Sequence, residues 1–169
     1  MATTIKPLYA ASATITITLA SLASSSSFVA GREATAIVNT SNLYDDALLS
    51  GKIRVGTTPT INTQILIYVF AALDDAPTYP DVFDGTDSDE TLTSAGVGRG
   101  FLKLAAVLDV DATTSDRDYP FGPVSVAQLF GGHLPTRWSV FVTHNTGVNL
   151  NSTGGNHFIK YDGIQYQNV

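Results

Sequence analysis

The side chains with the most evident chemical potential are acidic. Asp74, Asp75, Asp81, Asp84, Asp87, Asp89 and Glu90 fall within seventeen residues that hold no lysine or arginine. Carboxylates at that density offer the several oxygens a calcium ion takes. The order DGTDSDE lacks the spacing of an EF-hand loop, however, and fixes no geometry. A solvated acidic loop is the simpler reading, so no metal ligand is assigned. His133, His144 and His157 stand 11 and 13 residues apart, too far for the short pair of a zinc motif. His144 shares the parity of Trp138, at the end of its strand. Ser, His and Asp are all present, but no G-x-S-x-G elbow is, so no hydrolase triad is assigned. GVGRG at 96–100 precedes an expected strand and not a helix, which leaves no helix N-terminus for a phosphate. Trp138, Tyr161 and Tyr166 would make an aromatic sugar platform only if all three reached one surface. Trp138 alternates with Val140 and Val142 and reads as core, and Tyr161 and Tyr166 differ in parity unless a bulge at Gly163 intervenes. The sequons at Asn39 and Asn151 matter only after eukaryotic secretion. The expectation is a protein that is not an enzyme and has no cofactor.

Around these residues the chain of 169 residues is long enough for one domain with a sizeable core. It has no cysteine, so packing and sheet hydrogen bonds must hold the fold. A net charge of −6 with 14% charged residues disfavours a nucleic-acid partner, which needs a basic footprint. The low charge also hints at a surface built for assembly. No run approaches the ~20 apolar residues of a membrane span. The N-terminal run around ATITITLA alternates Ile15, Ile17 and Leu19 with threonines, the pattern of an amphipathic strand and not of a signal peptide. A soluble protein, not exported by that route, is expected.

In chain order, residues 1–12 read as an extended N-terminal arm containing Pro7, and 13–169 as a β-sandwich domain with a long acidic loop at 74–100. Strands are expected at 13–20, 33–38 and 47–55, the last with Leu49, Ile53 and Val55 inward and Gly51 at a bulge. ILIYVFAAL reads as a central strand covered on both faces. A strand at 101–110 has Leu102, Leu104, Ala106 and Leu108 on one face, and a second acidic loop covers DVDATTSDRDYPFGP. SVAQLF reads as one helical turn closed by Gly131 and Gly132. From Arg137, Trp138, Val140 and Val142 alternate with Ser139 and Thr143 as a half-buried strand. Phe141 falls on the outer face, where either a neighbouring subunit or a two-sided core would cover it. About eight strands with little helix indicate an all-β, antiparallel, single-domain sandwich, jelly-roll-like because of its long connections, with an immunoglobulin-like sandwich as the alternative.

MATTIKPLY, GREATAIVNTSNLYDDALLSGKIRVG, FGPVSVAQLFGGHLPTRWSVFVTHNTG and GNHFIKYDGIQYQNV together resemble small virion structural proteins of tailed bacteriophages, and the resemblance covers most of the chain. It implies a decoration or cement protein made in the host cytoplasm, residing in the virion and bound to the major capsid protein or other virion proteins. It also implies a homo-oligomer, a trimer at lattice three-fold positions being favoured. A tail, fibre or baseplate component, such as a glycan-binding module, is the alternative. The contact residues expected for the decoration reading are Ile5, Pro7, Leu8, Tyr9 and Phe141.

Overall fold

A computed structural model describes residues 4–168. Two antiparallel sheets face one another. The first holds β1 (Ile5–Tyr9), β2 (Ala13–Thr14), β5 (Asp46–Arg54), β9 (Asp118–Ser125) and β11 (Phe158–Asn168), in the order β1-β11-β5-β9 with β2 also on β11. The second holds β3 (Ala30–Glu33), β4 (Ile37–Val38), β6 (Thr63–Ala71), β7 (Ser88–Thr91), β8 (Lys103–Val110) and β10 (Arg137–His144), in the order β7-β3-β10-β6-β8 with β4 also on β10. With β1 and β2 counted as one strand, β3 and β4 as another, and β7 set aside as an insertion, the chain visits the sheets alternately except for the hairpin-like step from β6 to β8. Each sheet then has its first and last strands adjacent, which is the double Greek key of a jelly roll. The expected architecture is therefore the one found.

The sheets bury the expected residues between them. Leu49, Ile53 and Val55 are fully buried, as are Ile65, Ile67 and Val69 on β6, and Trp138, Val140 and Val142 on β10. Trp138 packs edge-on against Tyr161, with ring centroids 5.5 Å apart. The register of β5 against β9 slips between Leu49 and Gly51, but the extra residue lies on β9, where Gly122 and Pro123 stand opposite Ser50, so β5 keeps its alternation and the bulge expected at Gly51 falls on the facing strand. A Cβ at Gly51 would lie 2.5 Å from the Phe158 carbonyl oxygen, so the strands close there only around glycine. The turn α2 (Val126–Leu129) is capped by Ser125 and followed by Gly131 and Gly132 at positive φ, as expected of a helix end. Residues 15–19 keep the alternation of burial but form no ladder beyond β2. They cross between sheets, Ile15 N bonding Ile159 O and Thr16 O accepting from Thr35 N.

Three further sequence expectations need correction. The first is Phe141: β10 is buried on both faces, and Phe141 is fully buried. What covers it is the chain's own acidic insertion. Phe83 from that insertion stacks on Phe70 at 4.1 Å and meets Phe141 edge-on at 5.2 Å, and Leu92 completes a second small core. Ser139 and Thr143 on the same face satisfy their hydroxyls on the Ala34 and Ala30 carbonyls at 2.7 and 2.6 Å. Second, the insertion contains β7 and the helix α1 (Ala95–Phe101), so GVGRG is helix, with Ser94 as its N-cap. Third, part of the supposed second acidic loop is β9, whose two prolines suit an edge strand.

Ionisable groups hold this third layer down. Arg32 binds Asp87 through Nε at 2.6 Å and Asp89 at 3.1 Å, and Asp87 also accepts from Thr18. The fully buried Glu33 carboxylate accepts from the backbone N–H of Asp84 and Gly85 at 3.2 and 2.8 Å. Burial, with Asp84 and Glu90 nearby, raises its pKa to about 7. On the first sheet, Arg54 and Lys52 of β5 hold Asp118 of β9 down at about 2. Among the described residues no helix is long and apolar enough to cross a membrane.

Candidate interaction surface

Residues 5–9 do not form a free arm. They pair with the end of β11 from Ile5 opposite Asn168 to Tyr9 opposite Ile164. The ladder extends beyond the sandwich, and all five residues of β1 are exposed, as are Tyr166, Gln167 and Asn168. A two-stranded ribbon without a cover on either face is marginal in water. Gly163 marks where it leaves the body: a Cβ there would fall 2.4 Å from the Tyr44 ring, so only glycine lets Tyr44 pack across the strand.

Ladder parity sorts the ribbon into two unlike faces. On β11 the inward positions are Ile159, Tyr161 and Gly163, followed by Gln165 and Gln167; Ile159 is fully buried. The outward positions are Ile164, Tyr166 and Asn168, and paired opposite them are Tyr9, Pro7 and Ile5. Ile5, Tyr9 and Tyr166 are 65%, 60% and 63% exposed, so the outward face is an apolar and aromatic patch with no ionised side chain. The inward face carries Lys6, Leu8, Gln165 and Gln167. Of the expected contact residues, then, Ile5, Pro7 and Tyr9 converge on one surface, Leu8 lies on its reverse, and Phe141 is in the interior of the other sheet.

The hydrogen-bond phase adds a constraint on the free edge. Ala10 N donates to Gly163 O at 2.8 Å, so in this antiparallel pair residues 6, 8 and 10 make the ladder bonds and residues 5, 7 and 9 direct their backbone groups away from β11. Bonds on the opposite side of β11 agree, Asp45 N donating to Ile164 O and Tyr166 N to Asp45 Oδ2. Pro7 therefore sits at the one phase where its missing N–H costs the ladder nothing and interrupts the exposed edge, a common protection against strand addition. The exposed apolar area of the ribbon therefore lies on its side-chain face, while its edge is interrupted at Pro7.

The remaining candidates are dispersed. In the insertion the carboxylates are spread over separate local partners: Asp74 accepts from Thr78 N, Asp81 from Thr93 N and Asp84 from Thr86 N, while Asp87 and Asp89 share Arg32. Among the described residues no three metal-ligating side chains converge. His144 is fully buried between the Leu22 carbonyl and the Thr146 hydroxyl, and burial pushes its pKa down to about 4. His157 bridges Arg54 N and Asn151 O, and His133 is exposed. Trp138 is buried, Tyr161 turns inward and Tyr166 outward, so these three rings share no surface.

Sequence reasoning also missed a groove of about 500 Å³ on the outer face of the second sheet beside α1. Its one legible signal is Ser94 ahead of the GVGRG segment, a capping residue masked by three glycines in seven helical positions. Comparison with protein-family models, curated proteins and solved structures finds no match for the chain.

Proposed function

We propose that the chain is a non-enzymatic structural protein of a tailed-bacteriophage particle, a decoration or cement protein that binds the capsid lattice through the outward face of its β1–β11 ribbon. The observation that carries the reading is that Ile5, Pro7, Tyr9 and Tyr166 form an uncharged apolar patch on a projecting ribbon, on a chain of net charge −6. The jelly-roll body and the sequence resemblance to small virion proteins support it. The mechanism is adhesion. Burying the exposed part of Ile5, Tyr9 or Tyr166 against a capsomer is worth about 1–2 kcal/mol each, a weak contact that becomes firm when an oligomer, favoured as a trimer, engages several sites together.

The test is co-sedimentation of purified protein with emptied capsids of the parent phage. Binding by the wild type that is lost in Tyr9→Glu, with an unchanged melting curve, supports the reading. Failure of the wild type to bind, or equal heat stability of particles with and without the protein, overturns it. The alternative, a tail, fibre or baseplate module that binds glycans, would have to use Tyr166 without Trp138 and Tyr161, since those two lie inside the sandwich. Glycan-array binding lost on Tyr166→Ala would favour it.

A further inference from the structure

The groove beside α1 lies far in sequence from the ribbon and is built from different elements: Phe28 from the loop before β3, Leu66 and Tyr68 from β6, Arg99 from α1, Leu102 at the end of α1 and Leu104 from β8. Three independent features converge on it. The first is a bulge. The β6–β8 register slips between Ile67 and Tyr68, pairing Ile67 with Ala106 but Tyr68 with Leu104. The extra residue turns Leu104 out of the core side that simple alternation assigns it and leaves it 46% exposed at the groove. The second is backbone strain. Phe28, one of seven non-glycine residues at positive φ among those described, has φ of 57°, a left-handed conformation that a bulky residue adopts only where surrounding structure enforces it, and it lines the groove. The third is charge. Arg99 is the only ionised residue lining the groove, and among the described residues it takes part in no ion pair. No carboxylate lines the groove, although the insertion that forms one wall carries seven between positions 74 and 90.

An apolar floor of leucine and aromatic side chains with one free guanidinium at its side has the composition of a small-ligand site, and its volume lies in the usual range. We infer that this groove binds a small amphiphilic carboxylate, its apolar body lying over Leu66, Leu102 and Leu104 and its carboxylate paired with Arg99. A guanidinium accepts a carboxylate through two parallel hydrogen bonds. The site is independent of the ribbon, and its failure would leave the virion reading untouched.

The probe is dodecanoate, titrated calorimetrically into the full chain below its micelle concentration, with dodecanol (same body, no charge) and acetate (same charge, no body) as comparison ligands. Saturable one-to-one binding of dodecanoate is expected, with dodecanol at least about tenfold weaker and acetate giving no heat. Arg99→Ala should weaken dodecanoate about tenfold and leave dodecanol unchanged, while Leu104→Gln should weaken both. Both residues are exposed, so the variants should keep the wild-type melting curve. Tyr9→Glu, on the ribbon, should bind as the wild type does. No saturable binding of dodecanoate overturns the inference, as does equal binding by wild type, Arg99→Ala and Leu104→Gln, or loss of binding in Tyr9→Glu alone.

Discussion

Glu33 offers the sharpest test of how the insertion is held to the sandwich. Its carboxylate is fully buried and its pKa is raised from an ordinary 4.5 to about 7, burial being the largest cause. A folded-state pKa above the unfolded one means that the native protein binds the proton more tightly. The stabilisation is therefore complete below pH 4.5, declines as pH rises, and is lost once pH passes about 7. At about 1.4 kcal/mol per tenfold change in proton affinity, the loss amounts to about 3 kcal/mol. Glu33→Gln removes this titration. Urea denaturation of both proteins at several values between pH 4.5 and pH 8 should show wild-type stability falling relative to the variant by about that amount across the range. His144 imposes the opposite slope, because its depressed pKa costs stability as pH falls from 6.5 toward about 4. It is common to both proteins and cancels in the difference. A stability difference between wild type and Glu33→Gln that stays constant with pH would refute the account of Glu33 as a buried, proton-binding clamp on residues 84 and 85.

Phe141→Ala should cost about 3–5 kcal/mol in urea denaturation, as expected for a large hole under Phe70 and Phe83; a loss below about 1 kcal/mol would mean that the insertion does not seal that face. Pro7→Thr should leave the melting temperature nearly unchanged but restore an N–H on the free edge of β1, raising concentration-dependent association in sedimentation velocity; an unchanged sedimentation coefficient would show that the edge is not protected by Pro7. In His144→Phe the acid-side decline in stability between pH 6.5 and pH 4 should be shallower than in the wild type by urea denaturation, and an unaltered decline would place the titration elsewhere.

The parts of this fold that were legible in the sequence are those set by local pattern. Leu49, Ile53 and Val55 around Gly51, and Trp138 with Val140 and Val142, show strict alternation on the inter-sheet face, and the turn at Val126–Leu129 has its serine cap and paired glycines. What was not legible depends on contacts distant in sequence. Whether Phe141 meets solvent or Phe83 is decided by an insertion some sixty residues earlier, which local periodicity does not register. Leu104 changes face because one bulge shifts the pleat by a residue, and period-2 reasoning fails at every such slip. β1 resembles an arm because proline normally argues against a strand, and only the hydrogen-bond phase shows that Pro7 is compatible with one. The candidate contact face was thus half legible: the residues of β1 are evident from the sequence, but Tyr166 joins them only through pairing of the two chain ends.

The central claim is that the outward face of the ribbon meets the capsid lattice. A cryo-electron microscopy reconstruction of the particle, at a resolution that traces the chain, tests it most directly. The account predicts the jelly roll on the outside of the head shell at a junction of capsomers, with Ile5, Tyr9 and Tyr166 buried against capsid protein. Density for the chain in the tail, or on the head with that ribbon directed into solvent, would contradict it.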